Sequence, residues 1–447
     1  MLPSARSVQR QRLASILAAN AGSEYGSRCG FRGIAGAAEY REKVPVVRYE
    51  HLAGAISRMA AGEPEVLVSG PILAFEETGG STAGPKLIPY NEALLRAFRR
   101  ALLAWLDDLA SAYPVIASGS AYWAISPPGR APRTTPGGIP LGLGGDAAYF
   151  GEDLAALVLE TLAVPPEAGA DGDSGRWRAA TCERLAACRD LALISVWSPT
   201  FLLGLAEHVA LDPAIISCWD QASSRAYAQE LRRLFPRAHL QGKGLLATEG
   251  VVSIPLAGLE WPVLAVDSGY FEFLDDAGRA HEAADLEVGA DYEVLMSTDG
   301  GLYRYAIGDR VRIRGYAGEA PMLEFLGRAA GVDLCGEKLT EAFVIQALAP
   351  FGLKFSLLAP LSQGRVGYAL TVDAAEVRLE RIADLAHGAE RALAANPQYA
   401  LARRLQQLAP LAVLRRERPL DAWLHGRLAR GQRLGDIKPP ALSHEPL

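Results

Sequence analysis

The sequence predicts an α/β protein in which a large N-terminal domain, residues 1–327, precedes a small α+β domain, residues 328–447. Three observations carry this prediction. Strand-like and helix-like segments alternate through the first part of the chain, which is typical of an α/β region. Strand-like segments then dominate between residues 250 and 326, which indicates a β-rich subdomain. Beyond residue 327 short strands and helices mix again, as in a separate small domain.

The clearest helix is predicted over residues 91–112. Its apolar side chains recur at helical spacing (94, 95, 98, 102, 103 and 106), and Asn91 can cap its first turn. The first twenty residues also have the pattern of an amphipathic helix. Further helices are predicted over 152–163, 176–190, 200–210, 221–234, 340–349, 375–395 and 419–430.

Short runs rich in β-branched and aromatic residues predict the strands. In the large domain they lie at 66–70, 121–126, 191–197, 214–219, 251–256, 262–267 and 292–296. In the small domain they lie at 354–359, 366–372 and 411–414.

Composition excludes several classes of protein. Half of the 447 residues are hydrophobic and 21% are charged, so a sizeable core is expected and bulk disorder is not. The net charge of −6 argues against a nucleic-acid partner. No run of about 18 apolar residues predicts a membrane span, and no signal peptide is recognisable. Five widely spaced cysteines form no zinc or disulfide pattern, which favours a reducing, cytoplasmic location.

Lysine is scarce. Of 45 basic residues only six are lysine, and the rest are arginine. A lysine ammonium is a compact, mobile point charge, whereas guanidinium is planar, so the surviving lysines are worth locating. Codon bias is the alternative explanation. The six are Lys43, Lys86, Lys243, Lys338, Lys354 and Lys438.

The segment 78–86 (TGGSTAGPK) has the composition of a phosphate-binding loop. Its glycines allow successive backbone N–H groups to face one anion, while Ser81, Thr82 and Lys86 add hydroxyl donors and a positive charge. The segment is not a Walker A loop, because Leu87 replaces the Ser or Thr that would bind Mg²⁺. A flexible surface turn is the alternative.

Three further segments carry chemistry. In 241–250 (QGKGLLATEG) a Thr-Glu pair follows a turn of small residues, and such a carboxylate can hold Mg²⁺ while the hydroxyl contacts phosphate. In 301–309 (GLYRYAIGD) an Asp after a tight turn can accept from ribose hydroxyls, and Arg328 could reinforce that contact. Near the C-terminus, Lys438 lies between a glycine turn and two prolines, which predicts a stiff loop. Read separately, these segments could be a solvated turn, a hairpin and a polar tail.

Taken in order, the four segments resemble the adenylate-forming superfamily. The sequence is most similar to the auxin- and jasmonate-conjugating acyl acid amido synthetases, in their bacterial branch. Segments 194–202, 266–273, 336–341 and 396–399 share this resemblance, which extends from about residue 40 to 440. The phosphate loop departs from the plant pattern, since Ala83-Gly84-Pro85-Lys86 stands where those enzymes have a longer Gly-Gly-Glu-Arg-Lys stretch.

The resemblance implies an adenylate-forming ligase fold with a mobile C-terminal domain, and it implies a role for each matching residue. Lys438 would be the catalytic lysine, and Glu249 would hold Mg²⁺. ATP and its phosphates would contact the remaining positions: Gly80, Ser81, Thr82, Lys86, Thr248, Asp309 and Arg328. Trp123, Trp197 and Phe201 could line the acyl pocket, although a place in the core is the alternative for all three.

The implied reaction uses ATP and Mg²⁺ to adenylate a small carboxylic acid, with release of pyrophosphate. An amine, in the family an amino acid, then takes the acyl group and AMP leaves. A thioester-forming ligase would share the first half-reaction but use coenzyme A as acceptor. A noncatalytic nucleotide-binding protein of the same fold, or a serine hydrolase acting through Ser81, is also compatible with the sequence. The sequence does not indicate the oligomeric state or the identity of the acid.

Overall fold

A computed structural model describes residues 4–78, 86–123, 133–143, 149, 158–169, 173–328, 331–361 and 366–447. The described residues divide into two compact units. The first unit comprises Met1–Ser195, Val209–Ser217 and Arg237–Phe325. The second comprises Val196–His208, Cys218–Pro236 and Leu326–Leu447. Two short segments from the middle of the chain therefore belong to the same compact unit as the C-terminal residues.

The first unit combines helices with several sheets. Its described helices are α1 (Ala5–Asn20), α2 (Glu24–Arg28), α3 (Ala37–Lys43), α4 (Tyr49–Ala60), α5 (Glu92–Ala112) and α6 (Ser174–Ala187). Its first strands are β1 (Ala74–Thr78), β2 (Lys86–Tyr90), β3 (Ser120–Trp123), β4 (Arg133–Thr134), β5 (Pro140–Leu141) and β6 (Leu191–Ser195). The next are β7 (Ile215–Cys218), β8 (His239–Gly242), β9 (Leu246–Ala247), β10 (Gly250–Val251), β11 (Ser253–Ile254) and β12 (Val263–Leu264). The last are β13 (Tyr270–Leu274), β14 (Ala280–Glu282), β15 (Asp291–Ser297), β16 (Tyr305–Ala317) and β17 (Ala320–Arg328).

The predicted helix over 91–112 is confirmed as α5. The Asn91 side chain accepts from the Leu94 amide at 2.8 Å, which satisfies one of the free N–H groups of the first turn. The apolar face of α5, including Trp105, is buried in the main core. The predicted N-terminal helix is confirmed as α1. Its buried Gln9 holds it to the sheet, donating to Val266 O and Gly269 O and accepting from the Phe271 amide.

The predicted β-rich region is confirmed as a seven-stranded sheet of order β11-β12-β17-β16-β15-β13-β14. A second sheet has the order β3-β6-β7-β8, in which β3, β6 and β7 are parallel. A third has the order β2-β1-β5-β4, and β9 with β10 forms a separate hairpin. Parallel strands joined through helices and a largely antiparallel sheet thus occur in one unit, as expected of an α/β region with a β-rich part.

The second unit has its own helices and sheet. Its helices are α7 (Pro199–Ala206), α8 (Arg225–Leu234), α9 (Glu341–Leu348), α10 (Ile382–Leu393), α11 (Pro397–Arg404) and α12 (Pro419–Ala429). Its strands are β18 (Ser356–Pro360), β19 (Tyr368–Asp373) and β20 (Ala412–Arg416), in the order β18-β19-β20. Leu339, Leu358 and Leu370 are among its fully buried side chains.

Some predicted elements differ from the structure or lie partly outside the described residues. Residues 66–70 are not a strand: Val66–Val68 are buried, but Val66 O accepts from the Tyr25 amide and Leu67 O from the Tyr303 hydroxyl. The helix predicted over 375–395 is shorter, since a 3-10 turn at Leu379–Arg381 precedes α10. Most of the helix predicted over 152–163 lies outside the described residues.

None of the five cysteines, all of which lie in the described ranges, forms a disulfide bond. Within the described residues, no helix is long and apolar enough to cross a membrane.

Candidate active site

The predicted phosphate loop joins two paired strands. Strands β1 and β2 are antiparallel, with Thr78 opposite Lys86, so residues 79–85 connect the two strand ends. Gly80, Ser81 and Thr82 fall in this connection and lie outside the described residues. Lys86 is the first residue of β2, and its Nζ lies 5.3 Å from the centre of the Tyr49 ring. The aromatic face favours a cation there, so Lys86 is held at the exit of the loop.

The Thr248–Glu249 pair forms a two-residue β-hairpin turn. Ala247 of β9 pairs with Gly250 of β10, which leaves these two residues at the tip, both half-buried. The approach to the hairpin is tight, because a Cβ on Gly244 would lie 1.9 Å from Ser253 O. A short turn of this kind fixes the direction of its carboxylate and hydroxyl groups better than a long loop would.

Tyr90 connects the phosphate strand to this turn. It is the last residue of β2, it is fully buried, and its hydroxyl donates to Thr248 O. Burial raises the pKa of Tyr90 well above its usual value, and the charges of Glu76 and Glu249 contribute to this increase. The phenol therefore stays neutral and keeps donating. Strand β2 thus carries Lys86 at one end and contacts the Thr248–Glu249 turn through Tyr90 at the other.

Asp309 lies within a long strand, not on the turn that the sequence suggests. In the β15–β16 ladder Glu293 faces Arg310 while Leu295 faces Ala306, so three residues of β16 oppose one of β15. Gly308, with φ +82°, occupies this bulge, a conformation that favours glycine. Asp309 is 5% exposed. Asp309 thus lies buried in an irregular part of the ladder, next to a glycine of positive φ.

A short segment relates Lys86 to the strand of Asp309. Val47 pairs with β16, since its N–H donates to Arg304 O at 3.1 Å and its carbonyl accepts from the Ala306 amide at 2.9 Å. Two residues later, Tyr49 contacts Lys86 and accepts from the Leu87 amide at 2.9 Å. Residues 47–49 therefore contact both Lys86 and the strand that carries Asp309.

The entry to β16 is fixed by a buried ion pair that the sequence did not reveal. Arg304 Nε donates to Glu272 at 2.9 Å, and both side chains are almost fully buried. Arg304 also donates to the carbonyls of Arg41 and Val44. Its φ of +47° is unusual for a residue with a side chain. The only local signal is its place in segment 301–309, because its partners are distant in sequence.

Arg328 ends β17 and is exposed. A Cβ on the preceding Gly327 would lie 3.5 Å from the Glu341 carboxylate. The same carboxylate accepts from the Ala441 amide at 3.0 Å. Glu341, at the start of α9, therefore lies between Gly327 and the C-terminal loop, a role that the sequence did not reveal.

The loop that carries Lys438 is anchored on both sides. A 3-10 turn, Leu434–Asp436, precedes it, and Ile437 is buried against Phe355, Leu357 and Trp423. On the far side, Ala441 O accepts from the Leu358 amide at 2.8 Å and the Ser443 amide donates to Leu358 O at 2.9 Å. Lys438 itself is half-buried. The backbone is thus fixed while the lysine side chain remains accessible at one side.

The aromatic candidates for the acyl pocket divide between the two units. Trp123 ends β3 in the first unit and lies edge-to-face with Trp105, with ring centres 6.2 Å apart. In the second unit, Trp197 is half-buried against Trp219 at 5.9 Å, whereas Phe201 is buried in α7. The Ser198 amide donates to Gly435 O at 3.3 Å, so the segment carrying Trp197 and Phe201 contacts the Lys438 loop within the second unit.

The remaining four lysines lie in different surroundings. Lys43 lies 3.9 Å from Glu39, and Lys354 lies 3.0 Å from Glu230, both in partly exposed ion pairs of the ordinary surface kind. Lys243 is half-buried and close to Trp105 and Ser195. Lys338 is exposed and has a φ of +47°. Across the described ranges, no group of three or more His, Cys, Asp or Glu residues could hold a metal ion.

The whole fold is that of the adenylate-forming ligases. A structure of GH3.15 acyl acid amido synthetase matches with a TM-score of 0.81 at 18% identity, over 98% of this chain and 92% of that one. The same enzyme in complex with 2,4-DB matches with a TM-score of 0.83 at 19% identity and the same coverage. A 2-hydroxyisobutyryl-CoA ligase with 2-HIB-AMP, in the postadenylation state, matches with a TM-score of 0.60 at 14% identity, over 95% and 92%.

Within that class, the sequence identifies the family. The GH3 family N-terminal domain matches residues 1–210, and the GH3 family central domain matches residues 262–328. Together the two matches span more than half of the chain, which belongs to the GH3 family.

Plant proteins are among the relatives. A probable indole-3-acetic acid-amido synthetase of Arabidopsis thaliana is 25% identical over 73% of this chain and 67% of its own length. One of Oryza sativa is 33% identical over 34% of each chain. An indole-3-acetic acid-amido synthetase of Arabidopsis thaliana is 24% identical over 72% of this chain and 67% of its own.

Proposed function

We propose that this protein is an ATP-dependent acyl acid amido synthetase. It adenylates a small carboxylic acid, converting ATP to AMP and pyrophosphate overall, and transfers the acyl group to an amine, which we take to be an amino acid. Membership of the GH3 family is the observation that carries the proposal. The contacts that hold Lys86, Asp309 and the loop of Lys438 in place support it, because adenylation depends on charges that are positioned before the reaction.

In the proposed first half-reaction the acid's carboxylate attacks the α-phosphate of ATP, and pyrophosphate leaves. Lys86, with Gly80, Ser81 and Thr82, binds the phosphates, and Thr248 adds a hydroxyl. Asp309 accepts from the ribose hydroxyls, and Arg328 reinforces that contact. Negative charge develops on the carboxylate and the α-phosphate, where Lys438 provides a compensating charge.

Glu249 fits a role in holding Mg²⁺. Magnesium commonly binds through one or two carboxylates together with substrate phosphates and water. Glu249 offers such a carboxylate from a half-buried, two-residue turn, beside the Thr248 hydroxyl. When bound there, the ion would offset charge on the phosphates.

In the second half-reaction an amine attacks the acyl carbon of the adenylate, an amide forms and AMP leaves. We propose that residues 328–447 act as a mobile domain that brings Lys438 to the first step and then moves away, with residues 1–327 as the ATP- and acyl-binding domain. The passage of the chain from one compact unit to the other between Phe325 and Leu326 supports this boundary. Exclusion of water during the reaction would protect the activated acyl group.

The proposed setting is the cytoplasm of a bacterium. Five cysteines without disulfide bonds fit a reducing compartment, and we carry the bacterial setting over from the resemblance of the motifs to the bacterial branch of the family. We assign no nucleic-acid or membrane partner.

A screen for acid-dependent pyrophosphate release tests the proposal. Purified protein with ATP and Mg²⁺ is offered a panel of carboxylic acids, and each active acid is then combined with mixed amino acids, other amines and thiols for mass spectrometry. We expect at least one acid to release pyrophosphate and an amide to form with an amino acid. ATP binding without release for any acid would contradict the proposal and favour a noncatalytic nucleotide-binding protein.

A thioester-forming ligase is the second candidate. The structural similarity to 2-hydroxyisobutyryl-CoA ligase favours it, although that match is weaker than the match to the amido synthetase. Coenzyme A as the preferred acceptor in the same screen would support this candidate and exclude amide synthesis as the main reaction.

A further inference from the structure

A row of side chains crosses the sheet β3-β6-β7-β8 at one end of its strands. Trp123 is the register partner of Ser195, and Ser195 is the register partner of Ser217. Register partners on neighbouring strands point to the same face of a sheet. The row lies at the carboxyl ends of the parallel strands, which is where open α/β sheets bind ligands.

The strand β8 adds two polar side chains to this row. Lys243, just after β8, donates to Ser195 Oγ at 2.9 Å and lies 5.3 Å from the centre of the Trp105 ring. Gln241, within β8, accepts from Trp105 Nε1 at 2.8 Å through its side-chain oxygen. Because an indole N–H can only donate, this contact fixes the amide orientation and leaves the Gln241 NH₂ group for another partner.

Two buried polar atoms in this cluster have no partner within the part of the chain that the structure describes. They are Ser217 Oγ, in a side chain with no exposed surface, and Gln241 Nε2, in a residue that is 6% exposed. A buried polar group without a hydrogen bond is costly, so such groups in a native structure need an explanation. Half-buried Trp123 and Lys243 form the more open margin of the cluster.

The chemistry of the cluster selects a ligand that accepts hydrogen bonds. Lys243 and the Gln241 amide nitrogen can only donate, and the Ser217 hydroxyl can donate as well. The two indole rings beside them provide flat apolar surface. An oxygen atom carried on a planar or apolar body meets both requirements.

We propose that Ser217, Gln241 and Lys243 form the polar end of the acyl pocket, and that the acid substrate carries a second oxygen-bearing group (hydroxyl, oxo or carboxyl) remote from the carboxylate that reacts. This inference rests on the proposed function and specifies its substrate class. It also assigns Trp123 and Trp105 to the apolar wall of the pocket.

Matched acids test the inference. Pyrophosphate release is measured for benzoate and cinnamate and for their ring-hydroxylated and ring-carboxylated counterparts, with wild type and the variants S217A, Q241L and K243M. We expect wild type to favour an oxygenated member by about tenfold or more in kcat/KM, and S217A and Q241L each to reduce that preference by about tenfold, mainly through KM for the acid. S120A is the control, since Ser120 lies at the opposite end of β3 and bonds to Asp190 at the surface.

The variants separate binding from stability. S217A removes a hydroxyl that has no partner among the described residues, so we expect its melting temperature to equal or exceed that of wild type. Q241L also removes the hydrogen-bond acceptor of Trp105 and can lower stability. The substrate preference of S217A is therefore the decisive result. An equal rate for plain and oxygenated acids in wild type, or an equal loss for both in S217A, would overturn the inference while leaving the proposed function intact. No release with any acid in this panel or the general screen would overturn both.

Discussion

The two charged groups at the centre of the proposed chemistry are held in different ways. Asp309 is buried in a bulge within a thirteen-residue strand, whose neighbours on both sides belong to the same sheet. Lys438 is half-buried on a loop that is anchored on each side by a few contacts. A strand thus holds the carboxylate that we assign to nucleotide binding, whereas a loop carries the lysine that we assign to the chemical step.

The difference implies different consequences of mutation. Asp309 is held by the backbone hydrogen bonds of a long strand. Removing its carboxylate should therefore alter nucleotide binding with little effect on the surrounding structure. The setting of Lys438 depends on individual contacts, including the one between Glu341 and the Ala441 amide. Weakening a single anchor should therefore affect the chemical step even though the lysine is still present.

The largest effect is expected from Lys438→Ala. Removing a preorganised charge from a transition state commonly lowers kcat by roughly 10²–10³-fold. Acid-dependent pyrophosphate release should fall by at least this factor while ATP binding, measured by calorimetry, is retained. Lys354→Ala is the matched control, because Lys354 lies in an exposed ion pair of the same unit. Near-normal release by Lys438→Ala would remove the lysine from the mechanism.

Glu249→Gln should have the next largest effect. The amide keeps the shape of the side chain but loses the charge that would bind Mg²⁺, so release should fall by about tenfold or more and need more Mg²⁺ for half-maximal rate. The measurement is a magnesium titration of pyrophosphate release at saturating ATP. Glu207→Gln, at the exposed end of α7, serves as control. An unchanged magnesium dependence would contradict the assignment.

Asp309→Asn and Asp309→Ala should weaken ATP binding by about tenfold, as expected when one hydrogen bond to a charged group is lost. The effect should appear in KM for ATP more than in kcat. Asp276→Asn is the control, since Asp276 pairs with the neighbouring Arg310 at the surface. If both Asp309 variants bind ATP as tightly as wild type, the ribose assignment is wrong.

The sequence was most informative where structure is local. The spacing of apolar residues and the Asn91 cap predict α5 correctly, because both depend on residues within one helix. Residues 66–68 are also apolar and buried, but their backbone groups bond to α2 and Tyr303 instead of a neighbouring strand. In both cases the apolar residues indicate burial. They do not indicate which groups form hydrogen bonds with the buried backbone.

Long-range contacts explain what the sequence did not predict of the candidate site. The Tyr90 hydroxyl bonds to Thr248, which is 158 positions away, and Arg304 pairs with Glu272, 32 positions away. The β-bulge that contains Asp309 depends on the register between two strands, and one sequence does not determine that register. Motifs could nominate the charged residues, but the groups that position them become visible only in three dimensions.

The smallest effect, and the closest test of the loop, is expected from Glu341→Ala. This change removes the acceptor of the Ala441 amide, three residues after Lys438, so the loop should become less well fixed and pyrophosphate release should fall about threefold. Glu341→Gln retains a side-chain oxygen that can accept the same hydrogen bond and should restore most of the rate. ATP binding should be unchanged in both variants, because Lys438, unlike Asp309, is assigned to the chemical step. Equal rates for the Ala and Gln variants would show that the loop is held by its other contacts, those of Ile437 and Leu358, and that Glu341 does not position the lysine.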